Sequence, residues 1–143
     1  MTKKEFAELE RICKKEWTRL AETGDGYKSY SLDVFVFNCP ACEIAKRVGR
    51  YRETRCGFDS NREPVGSHCA YCPIDLFREW NRVDSSGSVG YGCEYHPHSP
   101  YAMWCGARLD SPAHRLGSST GRKIAAHAMT KLNWTYLPIY EFI

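Results

Sequence analysis

The sequence predicts an α+β fold, organised as a single small irregular domain over residues 1–143 with flanking helices and few strands. Three features lead there. Both ends carry apolar residues at helical spacing. The run "YSLDVFVF" at 30–37 is rich in the β-branched and aromatic residues that suit a strand, and the stretch 30–105, punctuated by glycine and proline, holds most of the 8 cysteines. A chain of 143 residues buries enough surface for one core and not for two independent ones. Hydrophobic residues at 43% and charged residues at 26% are the balance of a chain that folds rather than one that stays disordered.

Thr2 followed by Glu5 has the spacing of a capping box, in which hydroxyl and carboxylate each accept a bond from an otherwise unpaired amide at a helix start. Phe6, Leu9, Cys13, Trp17 and Leu20 recur every three or four residues. A helix from about Lys3 to Ala21 is therefore predicted within a first unit, residues 1–24, with Gly24 as its left-handed stop. The strand at 30–37 ends at Asn38, and a short helix is expected after Cys42. Gly49, Gly57, Pro64 and Gly66 interrupt 49–67, which reads as a long connection with room for a hairpin. After Cys72, "PIDLFREW" puts Pro73 in a first helical turn and Ile74, Phe77 and Trp80 on one side of a short helix. "DSSGSVGYG" at 84–92 is turn chemistry, and Pro97 and Pro100 break the chain up to a short helix starting near Tyr101. In the last unit, 119–143, Thr120 caps a helix with Ile124, Ala128, Met129 and Leu132 as its inner face. The apolar tail "TYLPIYEFI", interrupted by Pro138, is expected to fold back onto the core.

The amino-terminal "MTKKEFAELE" is charged, and no apolar stretch approaches the ~20 residues needed to cross a bilayer. The expectation is a chain without signal peptide or membrane span that stays in a reducing cytoplasm. There, an even set of cysteines points to metal or redox chemistry rather than to disulfides. A net charge of +3 is too small by itself to imply a nucleic-acid partner.

Cys39-Pro-Ala-Cys42 is matched by Cys69-Ala-Tyr-Cys72, with 26 residues between the pairs. Two such units in one reduced chain are the pattern of a four-thiolate Zn²⁺ site, because each tight turn aims two sulfurs at one point and two turns complete a tetrahedron. A bound ion also supplies folding energy that a small irregular domain lacks, so residues 30–105 are expected to be a zinc-binding core. The rival reading is a thiol oxidoreductase, since a strand, Cys-Pro-x-Cys and a helix is how such enzymes place a low-pKa thiolate at a helix amino end. That fold needs further strands after the motif, which the sequence does not offer, and it has no use for a second Cys-x-x-Cys. Pro73 has no N–H to donate to a thiolate, so Cys93 competes for a ligand position, and the metal set is four of Cys39, Cys42, Cys69, Cys72 and Cys93. His68 is a weaker substitute. Cys93 with His96, and His98 with Cys105, are donors of the right kind for a second site, but their short proline-broken loop argues against one; Cys13 reads as a small core residue and Cys56 has no partner at ligand spacing.

The order Cys39-Pro40-x-Cys42, Cys69-x-x-Cys72-Pro73, Cys93, then Pro100, Tyr101 and Trp104 resembles a group of small zinc-ribbon-like proteins encoded by bacteriophages and prophages. The resemblance covers roughly the middle half of the chain. It departs from that pattern at Ser99, where Thr is usual, and in a longer segment between the cysteine pairs that carries Cys56 and an arginine-rich stretch. It implies phage origin and a cytoplasmic life in a bacterial host cell, and no reaction.

That arginine-rich stretch, "KRVGRYRETR", sets Lys46, Arg47, Arg50, Arg52 and Arg55 around Tyr51, a composition able to grip phosphates and stack a base, although a solvated helix end explains it as well. "GSSTGRK" at 117–123 fails as a phosphate loop, because Arg122 stands where a second glycine belongs and no Ser or Thr follows Lys123. Tyr95, His96, His98, Tyr101 and Trp104 crowd one irregular stretch, either as a pocket for a nucleotide base or as packing around a metal site. No Ser-His-Asp order, HExxH or paired carboxylates can be recognised. The expected function is therefore non-enzymatic: a zinc-stabilised phage accessory protein that binds a host protein or protein complex, for host takeover or to blunt an antiviral defence. Alternatives are a nucleic-acid-binding zinc protein, sequestration of a signalling nucleotide, and a thiol oxidoreductase.

Overall fold

The computed structural model describes residues 1–26, 39–56, 67–80, 93, 98–108 and 118–143. Helices α1 (Lys3–Thr23), α2 (Pro40–Cys56), α3 (Asp75–Trp80), α4 (Pro100–Arg108) and α5 (Ser118–Thr130), with 3₁₀ turns at Ser67–Tyr71 and Pro138–Phe142, make up nearly all of them. This corrects the expected α+β class. Among the described residues the fold is mostly helical and contains no strand; the β pairing described is a single antiparallel bridge between Ile74 and Trp134. The run 30–37 on which the strand expectation rested lies outside the described residues, as does 57–66.

The physical reason for the correction is visible in α2, which was expected to be short. Ala41, Ile44, Ala45 and Val48 are all buried and follow helical spacing, so the chain stays helical through Gly49 and on to Cys56. A glycine inside a helix costs about 1 kcal/mol relative to alanine, less than the burial of Ile44 and Val48 returns at about 1.5–3 kcal/mol each.

α1 matches its sequence pattern closely. Glu5 N–H donates to Thr2 Oγ1 at 3.1 Å, Thr2 N–H donates to Glu5 Oε2 at 2.9 Å, and Phe6, Leu9, Cys13, Trp17 and Leu20 are buried. Buried Glu16 is neutralised by Arg19, 2.7 Å away. Gly24 closes the helix at φ 68°, its N–H bonded to Leu20 O at 2.9 Å.

α5 packs against both α1 and α4. Its buried face is Ala125, Ala126 and Met129, and Ile124, expected on the inner face, is 60% exposed. Small side chains let the helix approach two neighbours at once, so close packing rather than side-chain size sets the inner face. Arg122 of α5 donates from Nε to Gly24 O at 2.6 Å and ties its first turns to the end of α1. Thr120, expected as the cap, lies within the first turn.

Aromatic rings fill the two ends of the core. Trp17 meets Trp104 edge-on at 5.3 Å and Tyr101 at 5.8 Å; Phe6 meets Trp134, Tyr136 and Tyr140 at 5.9, 5.2 and 5.8 Å. The carboxy-terminal tail folds back as expected, with Trp134 and Tyr140 buried. No helix among the described residues is long and apolar enough to cross a membrane.

Candidate metal centre

The first cysteine turn is built by the start of α2. Pro40 opens the helix at the position where a missing N–H costs nothing, and Cys39 O accepts the first helical bond from Glu43 N–H at 3.2 Å. Cys39 and Cys42 are thereby placed on the opening turn, and their sulfurs are hydrogen-bonded to each other.

The second turn is a 3₁₀ segment that ends at Tyr71, closed by Cys72 N–H donating to Cys69 O at 3.1 Å. The Ile74 amide, one residue past the N–H that Pro73 lacks, acts to favour the ionised Cys72 thiol. Outward-facing carbonyls are also occupied. Tyr71 O accepts from Tyr140 Oη at 2.5 Å, Cys72 O from Arg78 Nη1 at 2.9 Å, and Pro73 O from Thr135 N–H at 2.9 Å. Asp75 anchors the start of α3 to the tail, with its N–H on Asn133 O at 3.0 Å and its carboxylate accepting from Asn133 Nδ2 at 2.5 Å.

α2 packs on this 3₁₀ segment, so the two cysteine turns share one neighbourhood. Their electrostatics record it. Cys42 is pushed well above the ordinary thiol value by its bond to Cys39, then by the charge Cys39 takes on ionising, by burial, and by Cys93 and Cys72. Burial pushes Cys72 up most, the charge of Cys39 adds to it, the Ile74 amide works against it, and Cys69 adds again. Thiols crowded in this way resist losing protons together unless a cation shares the site, and a divalent ion reverses the balance by binding the thiolates directly.

The donors fit zinc in kind: thiols from two turns on neighbouring elements and from Cys93. Among the described residues no group of three or more His, Cys, Asp or Glu side chains is arranged to hold a metal ion. A metal reading therefore rests on donor chemistry and on the packing of α2 against the 3₁₀ segment.

The remaining sequence candidates lie elsewhere. Lys46 and Arg47 are half-buried on α2, with Arg47 Nε 3.6 Å from Glu43, and Arg50, Arg52 and Arg55 continue the same helix. Trp104 is fully buried and Tyr101 packs against it, which puts both in the core between α1 and α4. His98 is exposed, Cys105 packs at the core edge, and Tyr95 and His96 lie outside the described residues. Cys13 is a core residue, as expected. Sequence reasoning missed Arg78, Thr135 and Tyr140 as neighbours of the second turn. The only hint was that an apolar tail carrying a tyrosine must bury its hydroxyl against an acceptor.

Comparison with known proteins gives no match to a family model, to a curated protein or to a solved structure. Fold and site together define, among the described residues, a mostly helical chain whose two Cys-x-x-Cys turns lie on elements that pack against each other.

Proposed function

We propose that the chain is a non-enzymatic, zinc-stabilised binding protein whose metal is structural, held by Cys39, Cys42, Cys72 and either Cys69 or Cys93. The carrying observation is the convergence of the two cysteine turns where α2 meets the 3₁₀ segment. A structural role is supported by how fully the second turn is engaged: its amides and carbonyls hold the fold together. Function then lies on the surface, in binding a host protein or complex in the cytoplasm of a bacterial cell. The phage and host parts of this reading rest on the cysteine, proline and tryptophan order given above. Native mass spectrometry of chain purified without added metal tests the first part, with one zinc per chain expected. A metal-free, fully folded chain refutes it. Affinity purification from expressing bacteria tests the second, and the expected result is a stoichiometric host protein that is lost when the cysteines are replaced.

One observation favours a thiol oxidoreductase instead: Cys39 stands at the amino end of a 17-residue helix, where the helix dipole favours a thiolate. Against it, the described residues supply no sheet and Cys72 crowds the same cluster. Insulin-reduction activity that needs Cys39 and ignores chelators decides for the enzyme.

A further inference from the structure

The two cysteine turns are supported differently. The first is held by its own helix. The second is clamped from outside by groups distant in the chain. The peptide plane joining Tyr71 to Cys72 is held at its oxygen by Tyr140 Oη, 2.5 Å away, and at its nitrogen by the bond to Cys69 O at 3.1 Å. The next plane, from Cys72 to Pro73, is held at Cys72 O by Arg78 Nη1 at 2.9 Å. Because each peptide unit is rigid, fixing the two planes that flank a Cα fixes its φ and ψ and therefore the direction of its Cα–Cβ bond. For Cys72 the χ1 rotation is what remains. Ile74 is paired with Trp134 of the tail.

We propose that Tyr140 is a positioning residue of the metal centre, with Arg78 as its counterpart on the next peptide, so that docking of the tail sets the direction in which Cys72 offers its sulfur to Cys39 and Cys42. The inference rests on the zinc reading. Tyr140 is suited to the role because its ring is fully buried against Phe6 and Tyr136, which leaves the hydroxyl no choice of partner by rotation of the side chain. A phenylalanine fills the same space without the bond, so Tyr140→Phe removes the clamp and leaves the packing.

The test is titration of reduced chain with Co²⁺, followed by the thiolate-to-cobalt and d–d absorption bands, and displacement by Zn²⁺. Three variants are compared with wild type: Tyr140→Phe, Arg78→Met, and Leu20→Val. The last trims a fully buried side chain of α1 and controls for general loss of stability. Tyr140→Phe, with unchanged helix content by circular dichroism, is expected to bind Co²⁺ and Zn²⁺ roughly tenfold more weakly and to show an altered d–d band. Leu20→Val keeps the wild-type spectrum. Arg78→Met, from a side chain near the surface, shifts in the same direction and carries the test if Tyr140→Phe does not fold. Tyr140 and Arg78 variants that titrate like Leu20→Val, with wild-type spectra, overturn the inference alone. A wild-type chain that takes up neither ion overturns the zinc reading and the inference with it.

Discussion

Replacing Gly24 with alanine is expected to destabilise the fold by about 2–4 kcal/mol, from two sources. Gly24 sits at φ 68°, where a side chain costs about 1–2 kcal/mol. An added Cβ also meets Ser119 Oγ at 2.4 Å and Ser119 O at 3.1 Å. The hydroxyl can rotate away, but the carbonyl belongs to the backbone of α5, so relief means pushing α5 from α1. That strains the Arg122 bond to Gly24 O, and bonds to charged groups contribute about 1.5–3 kcal/mol. With a urea slope of about 2 kcal/mol per M, the Gly24→Ala midpoint falls by roughly 1–2 M. Gly106→Ala is the control with the opposite sign. It lies inside α4 with nothing within 4 Å of the new Cβ, so it gains about 0.5–1 kcal/mol and raises the midpoint by a few tenths of a molar. Helix signal against urea, at one fixed metal concentration, reads both. An unchanged Gly24→Ala midpoint, or shifts of the same sign in the two variants, refutes the account of the α1–α5 junction.

Trp104→Ala empties a fully buried site against Trp17 and is expected to cost about 3–5 kcal/mol, while Ile124→Ser, at a side chain 60% exposed, stays within about 0.5 kcal/mol; thermal unfolding compares them. Burial alone would raise the Asp75 carboxyl, but bonds from Thr135, Arg78 and Asn133 together outweigh it and hold the group below its ordinary 3.8. Its stabilising effect is therefore present above that pH and lost as pH falls through the lower folded value, so Asp75→Asn should flatten the acid limb of a stability profile below about pH 4. Cys72→Ser should abolish zinc binding measured by mass spectrometry, whereas Cys105→Ser, on α4 at the core edge, should retain it.

The amino-terminal end of the chain was legible because its signals are local. The capping box, the α1 stripe and the left-handed glycine are settled within a few residues, and the structure reproduces them. The middle was not. Gly49, read with Gly57, Pro64 and Gly66 as one long connection, cut the helix short, because the sequence does not reveal that the apolar row Ala41, Ile44, Ala45 and Val48 has a partner to pack on. The inner face of α5 was misread for a related reason: Ile124 is the larger apolar residue, yet contact with two helices selects Ala125 and Ala126. At the cysteines, spacing showed two paired turns, and the structure sets them on neighbouring elements. The clamps from Arg78 and Tyr140 depend on the folded arrangement, the second spanning 69 residues.

That long-range hydroxyl bond has a consequence for biosynthesis. During translation at about 5–20 residues per second, Tyr140 is added roughly 3–14 s after Tyr71. Throughout that interval the nascent second turn exists with its thiols made and its distal brace unwritten, so the Tyr71 carbonyl must wait for the tail before it is capped.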